Sequence, residues 1–469
     1  MKIIKNIGLI LCIAGFAFFV GSIFVGDYQV SKKTFDNWVN NKGIKSEIFI
    51  ETAQKEIVGQ TFSSFQLSSK IIELAEKSAE AHQDNIELWQ TQGGNEEKVN
   101  EEWSKVIWTS WSSTHKDFTY PLLQASINSP VKENQWLTFF LTFGLAIIGG
   151  LLYIIPDFIL LGPAGIKNNK LFQHSATTRG WGGIVTAVFF VTFYFLLYFF
   201  PDFIVNPILT TNKISLALSG NPASQWFMYG FLYTICITVM GIRMLIKYRG
   251  NKYQTFRTLS VMFFQLAIAF ILPEILVRLN QPYVDLKNMW PLDYSFFFDY
   301  RINEKLAAGT FGIFALVWGI VLFSIGVPVL VYFFGKRWYC SWVCGCGGLA
   351  ETLGDPFRQL SDKSLKAWKA ERYIIHGVLV FAVLMTAGVL YTYFTGSYNL
   401  LGFIPTESLK SWYGFGVGSI FAGVVGTGFY PLMGNRVWCR FGCPLAAYLG
   451  FVQRFKSRFR ITTNGGQCI

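Results

Sequence analysis

The fold class predicted from this sequence is an all-α membrane protein. About eight transmembrane helices are expected, with a small helical extracytoplasmic domain between helices one and two. Three observations lead there. Hydrophobic residues make up 52% of the 469 positions and charged residues only 14%, too apolar a balance for an ordinary soluble enzyme. Eight separate apolar runs reach bilayer length. Basic residues gather in alternate loops, the bias that sets membrane orientation.

The expected spans are 7–26, 136–155, 182–200, 226–246, 259–278, 309–334, 373–395 and 413–433. The first is long enough for an uncleaved anchor, although a signal peptide is the alternative. Lys2 and Lys5 precede it. Further basic clusters lie between spans two and three (Lys167, Lys170, Arg179), four and five (Arg243 to Arg257), six and seven (Lys336 to Arg372), and after span eight (Arg436 to Arg460). Both termini are therefore expected in the cytoplasm. The chain divides into an anchor (1–26), an extracytoplasmic domain (27–135), helices two to six (136–334), a cytoplasmic cysteine segment and loop (335–372), helices seven and eight (373–433) and a second cytoplasmic cysteine segment (434–469).

Residues 27–135 hold sixteen acidic residues, eleven lysines and no arginine. "SSKIIELAEKSAEA" is helical in character, and Val99, Trp103, Val106, Ile107 and Trp111 recur at helical spacing. With no phosphate loop, metal spacing or nucleophile motif, the segment reads as a docking or stabilising module. The net charge of +12 is explained by the positive-inside loops, so nucleic acid is rejected as a partner.

Two stretches carry the chemistry: "GKRWYCSWVCGCGGLAETLG", from Gly335, and "GNRVWCRFGCPLAAYLG", from Gly434. Each opens with glycine at the end of an apolar span, has arginine two residues on (Arg337, Arg436), and places cysteines five and nine residues after the glycine. Each closes on Leu-Ala-x-x-Leu-Gly; the first has three extra residues, among them Cys346. This is an internal repeat at two equivalent membrane exits. Cys340, Cys344, Cys439 and Cys443 offer four thiolates, the ligand set of an iron–sulfur cluster, with Cys346 a possible substitute. Arg337 and Arg436 are assigned to the cofactor because they offset thiolate charge and favour deprotonation. Four thiolates also suit zinc; a redox disulfide is a further alternative, though that chemistry commonly uses Cys-x2-Cys. Cys12 and Cys236, alone in apolar runs, read as packing residues.

On these motifs residues 309–469 resemble the membrane polyferredoxin family, which includes the nitrous-oxide reductase regulator and the membrane ferredoxin paired with periplasmic nitrate reductase. "CRFGCP" at 439–444 matches the family's Cys-x3-Cys-Pro, and "CSWVCG" at 340–345 matches with Gly345 in place of proline. The resemblance implies a 4Fe–4S rather than a 2Fe–2S cluster and a place in the bacterial inner (cytoplasmic) membrane. It also implies a cytoplasmic ferredoxin segment, of which Cys468 in "NGGQCI" would be the first cysteine, outside the working site. Residues 27–135 lack the family's Ser/Thr-Gly-Ala-Thr flavinylation motif, so covalent flavin is not implied.

The functional expectation is electron relay within an oxidoreductase system, not stand-alone catalysis. The donor would be a cytoplasmic ferredoxin or flavoprotein; the acceptor, a quinone or an extracytoplasmic redox partner. The alternatives are a zinc or copper transport or assembly factor, and the membrane anchor of a larger redox complex. Asp157 and Asp202, in repeated Pro-Asp-Phe triplets, are expected as solvated anchors at span ends. Glu274 is expected to pair with Arg278, and His376 to sit at the interface on the cysteine side. Trp136, Trp226, Trp290, Trp338, Trp412 and Trp438 are expected as an interfacial belt.

Overall fold

The computed structural model describes residues 2–91, 101–102, 104–105, 116–161, 176, 178–397, 399–400, 402, 404–455 and 457–458. Among these, seven helices are long and apolar enough to cross a membrane: Lys2–Phe24, Gln135–Pro156, Trp181–Phe199, Gln225–Lys247, Lys252–Arg278, Thr310–Phe334 and Leu365–Thr395. They are spans one to seven. Span eight runs from Thr406 to Met433 but is interrupted. An α-helix (Thr406–Tyr413) passes into a π-helical stretch (Gly414–Val425), and a last turn begins again at Tyr430, with Pro431 inside it. Spans five and seven start earlier than hydropathy predicts. Asn251 caps the first by accepting from Gln254 N–H, and Ser364 caps the second by accepting from Ala367 N–H. Both caps extend the helix through polar residues that an apolar window leaves out.

Spans one and two pack backbone to backbone. A Cβ on Gly149 would lie 2.4 Å from the Cys12 nitrogen, and one on Gly15 would lie 2.6 Å from the Thr142 carbonyl oxygen. Small residues permit this approach where no hydrophobic drive separates helix from lipid. Cys12 and Cys236 are half-buried, and both line a cavity between spans one, two and four.

The segment after span one forms its own hydrophobic core, with Phe35, Trp38, Phe49, Leu67, Ile71 and Phe118 buried at its centre. Its helices are Lys32–Lys42, Glu47–Ile57, Ser64–Thr91 and Lys116–Ser126. A small antiparallel sheet joins them: β1 (Asp27–Gln29), β2 (Thr61–Phe62) and β3 (Ile127–Asn128), in the order β2-β1-β3. Strands of two or three residues are too short for periodicity to reveal. The helical spacing of Val99, Trp103, Val106, Ile107 and Trp111 falls outside the described residues.

This domain is fastened to the bundle at the end of span three. Ser68 Oγ donates to Asp202 Oδ2 at 2.7 Å, and Ser129 Oγ to Asn206 Oδ1 at 2.7 Å. Asp202 is thus a buried docking acceptor, not the solvated anchor expected; the domain of residues 27–135 removes it from water. The Asp157 side chain lies outside the described residues. Glu274 does not reach Arg278: the guanidinium donates to the Ala217 carbonyl, and the carboxylate faces the Ser219 hydroxyl. The tryptophan belt is half as large as expected. Trp136, Trp226 and Trp412 are exposed, but Trp438 is buried and Trp290 turns inward to donate to Thr386 Oγ1 at 3.0 Å.

Two faces of the bundle follow from the chain path. One carries Lys2, Lys247, Lys252, Gly335, Leu365 and Gly434 and is called the basic face below. The other carries the domain of residues 27–135.

Candidate metal centre

The sequence repeat is also a repeat of backbone hydrogen bonds. Spans six and eight both end on a glycine at positive φ, Gly335 at 76° and Gly434 at 90°. Each glycine N–H donates four residues back, to Val331 and Tyr430. Four residues on from the arginines, Ser341 N–H reaches Arg337 O and Arg440 N–H reaches Arg436 O, both at 3.0 Å. Cys344 N–H donates to Tyr339 O at 2.8 Å, and Cys443 N–H to Trp438 O at 2.9 Å. In each arm the second cysteine then stands immediately before a helix, Gly345–Glu351 or Pro444–Phe455. The three extra residues of the first arm fall between its second cysteine and the leucine pattern, within the start of that helix. They rotate its Leu-Ala-x-x-Leu pattern by about 300°, nearly a full turn, so that Leu349 and Leu445 are both buried.

Both arms fold back into the bundle. Gly345 lies against Tyr233 and the Gln265 side-chain oxygen, residues within spans four and five, while Glu351 six residues later pairs with Arg257 at the basic face, 3.1 Å away. In the second arm Gly442 packs on Phe421, within span eight. Tyr448 OH then donates to Phe323 O at 2.9 Å, and Ser457 Oγ to Val331 O at 3.0 Å, so this helix climbs back toward the basic face beside span six. Each arm enters from the basic face, turns at its second cysteine and returns. The segments expected as cytoplasmic, 335–372 and 434–469, thus place their cysteines inside the bundle. The glycines explain why: Gly347 lies so close to Cys340 that a Cβ would fall 1.8 Å from its carbonyl oxygen. Gln265, Phe323 and Phe421 all lie in π-helical stretches, whose widened turns recur at functional sites.

The arms converge on one buried cluster containing Cys340, Cys344 and Cys443, with Cys346 and Cys439 packed against it. Cys340 lies in electrostatic reach of Cys439 and Cys344, and Cys443 of Cys439, Cys340 and Cys344. All four sequence-predicted ligands therefore come together. Arg337 and Arg436 both act on Cys340 and on Cys439; Arg436 also pairs with Glu351. Cys346 faces Cys344 from the same arm. Backbone amides of Gly347 and Cys346 face the Cys344 sulfur, and that of Ala446 faces Cys443. These amides favour the thiolate form, but at Cys443 burial outweighs them and pushes the thiol up.

Among the described residues, no group of three or more His, Cys, Asp or Glu side chains stands close enough to hold a single metal ion. Four cysteine thiolates are the donor set of an iron–sulfur cluster, and the surrounding guanidinium groups and amides suit its negative charge.

A contribution the sequence did not reveal comes from the opposite face. The loop between spans five and six descends to the arms. Tyr339 OH donates to Lys287 O at 2.9 Å, and the Lys287 ammonium lies in electrostatic reach of Cys344 and Cys346. The available signal was composition: residues 283–300 are crowded with aromatics, unusual for a water-exposed connection. Irregular backbone survives at membrane depth only when buried in protein.

On the basic face a cavity of about 260 Å³ reaches Cys340 and Cys439. Lys336, Arg337, Arg372, His376 and Arg454 line it, with Glu371 its only carboxylate among the described residues. His376 Nδ1 meets the Arg372 carbonyl at 2.6 Å. Beside it lies a groove of about 880 Å³, lined by Tyr253, Trp338 and Trp342 together with Lys336, Arg337 and Arg454.

Residues 315–364 and 414–462 each match the 4Fe-4S binding domain family, and each segment holds one cysteine arm. With its apolar spans, the chain is a polyferredoxin-like 4Fe–4S membrane protein, and its cofactor is an iron–sulfur cluster of the 4Fe–4S type. It is similar to YccM of Escherichia coli (strain K12), a protein whose name assigns it to electron transport. The two are 26% identical over 142 residues, which cover 29% of this chain and 39% of that relative. No solved structure matches the chain. Cys468 lies outside the described residues.

Proposed function

We propose that this protein carries electrons through the membrane by way of a 4Fe–4S cluster held by Cys340, Cys344, Cys439 and Cys443. The observation that carries this reading is the meeting of two equivalent cysteine arms inside the bundle, between a basic cavity on one face and a descending loop from the other. The cluster supplies one-electron acceptance and release when bound. The chain supplies the rest. Arg337 and Arg436 balance thiolate charge, amides at the two helix starts hold the second cysteines, and Tyr339 and Trp438 pack the site against water.

The positive-inside rule supports a cytoplasmic basic face with both termini on that side, and the same proposal takes the membrane to be the bacterial inner membrane. The cationic cavity over Cys340 and Cys439 suits an acidic donor such as a ferredoxin or flavoprotein. The neighbouring aromatic groove suits a quinone headgroup as acceptor. Its Trp338 carries a buried indole N–H with no hydrogen-bond partner among the described residues, a donor available to a carbonyl. The domain of residues 27–135 suits contact with an extracytoplasmic redox partner.

Purified protein tests the reading directly. Iron and acid-labile sulfide in equal amounts, with broad visible absorption that bleaches on reduction, are expected. Cys439→Ser and Cys340→Ser should each remove most of both. Full cluster content in either variant, or a colourless protein carrying zinc, would sink the shared-cluster assignment.

A further inference from the structure

The loop between spans five and six buries a lysine that has an obvious way to stay in water. Lys287 pairs with Asp285 only two residues away, Nζ to Oδ2 at 3.0 Å, and such a pair forms as readily on a surface. Instead its side chain is only 9% exposed. Burying an ammonium is expensive unless counter-charge compensates it. One carboxylate neutralises it, and the sulfurs of Cys344 and Cys346 also lie in its electrostatic reach. The backbone is held in place as well, because Tyr339, the residue before Cys340, donates its hydroxyl to the Lys287 carbonyl. Met289, two residues on, is buried in the same core as Cys340, Cys344 and Cys443.

We infer that Lys287, delivered from the face opposite the cysteine arms, sets the reduction potential of the centre. This rests on the ligand assignment proposed above. Reduction adds one electron to the cluster. A fixed positive charge beside Cys344 stabilises that added charge and raises the potential, and low dielectric makes the effect large. Asp285 opposes it and trims its size. Lys287 is a positioning residue for charge; it is not a ligand.

The test is a redox titration of the purified full chain with dithionite, followed by electron paramagnetic resonance, alongside iron analysis. Lys287→Met should keep its iron and shift the reduction equilibrium at least about tenfold toward the oxidised form, about 59 mV for one electron. Lys287→Arg should hold the original potential. Asp285→Asn should move it the other way. An iron-replete Lys287→Met protein with unchanged potential overturns the inference. If that variant loses its iron, Asp285→Asn decides: a potential unchanged or lowered overturns the inference equally. Failure of the ligand assignment is separately visible, as full iron in Cys439→Ser.

Discussion

Adding one methyl group to the first arm should empty the centre. Gly347 sits where the hairpin closes on itself, and an ideal Cβ there would lie 1.8 Å from the Cys340 carbonyl oxygen and 2.8 Å from its carbon. Ordinary contact begins at about 3.5 Å. The alanine variant must therefore open the hairpin by about 1.7 Å, and both clashing atoms are backbone, so no rotamer change relieves it. Overpacking of this kind costs about 1–3 kcal/mol, which a protein of this size can survive. The centre cannot survive it as easily, because metal–ligand distances hold to about ±0.2 Å. Gly347→Ala should thus insert and remain folded while losing most of its iron. Gly377→Ala is the matched control: that glycine is helical with nothing within 4 Å of its Cβ, and replacement should be neutral or stabilise by about 0.4–1 kcal/mol. Iron per protein, measured with the thermal midpoint on both variants, separates the two effects. A Gly347→Ala protein with full iron would refute the close approach of the hairpin's two limbs.

Three more outcomes are expected. Asp355 accepts from Arg243 at 2.8 Å and Lys247 at 2.9 Å, so Asp355→Asn should cost about 3–5 kcal/mol, read as a lower unfolding midpoint in detergent. Burial pushes the Asp355 carboxyl up, but Lys247 and Arg243 more than offset it and hold it below its usual range. Its stabilisation is therefore complete above the ordinary carboxylate pKa and is lost as pH falls through the folded value; the asparagine variant should lack that acid-side loss. Ser68→Ala removes a donor to buried Asp202 and should weaken domain docking by about 1–3 kcal/mol, seen as faster proteolysis within residues 27–135. Trp338→Phe should keep full iron yet slow electron exchange with a soluble quinone analogue; an unchanged rate would remove the aromatic groove as the acceptor site.

The spans and the paired cysteine arms were legible because both are written in local spacing. An apolar run declares a bilayer crossing by its length, and the paired Gly-x-Arg and Cys-x3-Cys frames declare their equivalence without any contact. What spacing cannot report is depth. "WYCSWVCGCGGLA" is nearly as apolar as a span but too short to cross, and its basic residues precede the first cysteine, so it read as a cytoplasmic exit. Its re-entry depends on Gly347 meeting Cys340, and on Gly345 meeting Tyr233 and Gln265 from other spans, pairings that no one stretch contains. Lys287 was missed for the same reason: its neighbours, Tyr339 and Cys344, lie more than fifty residues away in sequence.

Depth also decides what the bundle must supply. The hydrocarbon core is about 30 Å thick, so a centre at either surface leaves that whole distance to the other side. On the proposed reading the centre lies short of either surface, because Gly345 meets Gln265 and Gly442 meets Phe421, residues near the middle of their spans, and that divides the distance into two shorter steps. Electron transfer weakens steeply with distance, so two short steps outrun one long one. The cost is a negatively charged group held away from water, where isolated charge is unfavourable by several kcal/mol. Cations must then reach it from both sides. Arg337 and Arg436 enter with the cysteine arms, and only a loop from the opposite face can bring Lys287. On this reasoning the aromatic-rich loop of residues 283–300 is part of the centre, not a connection beyond it.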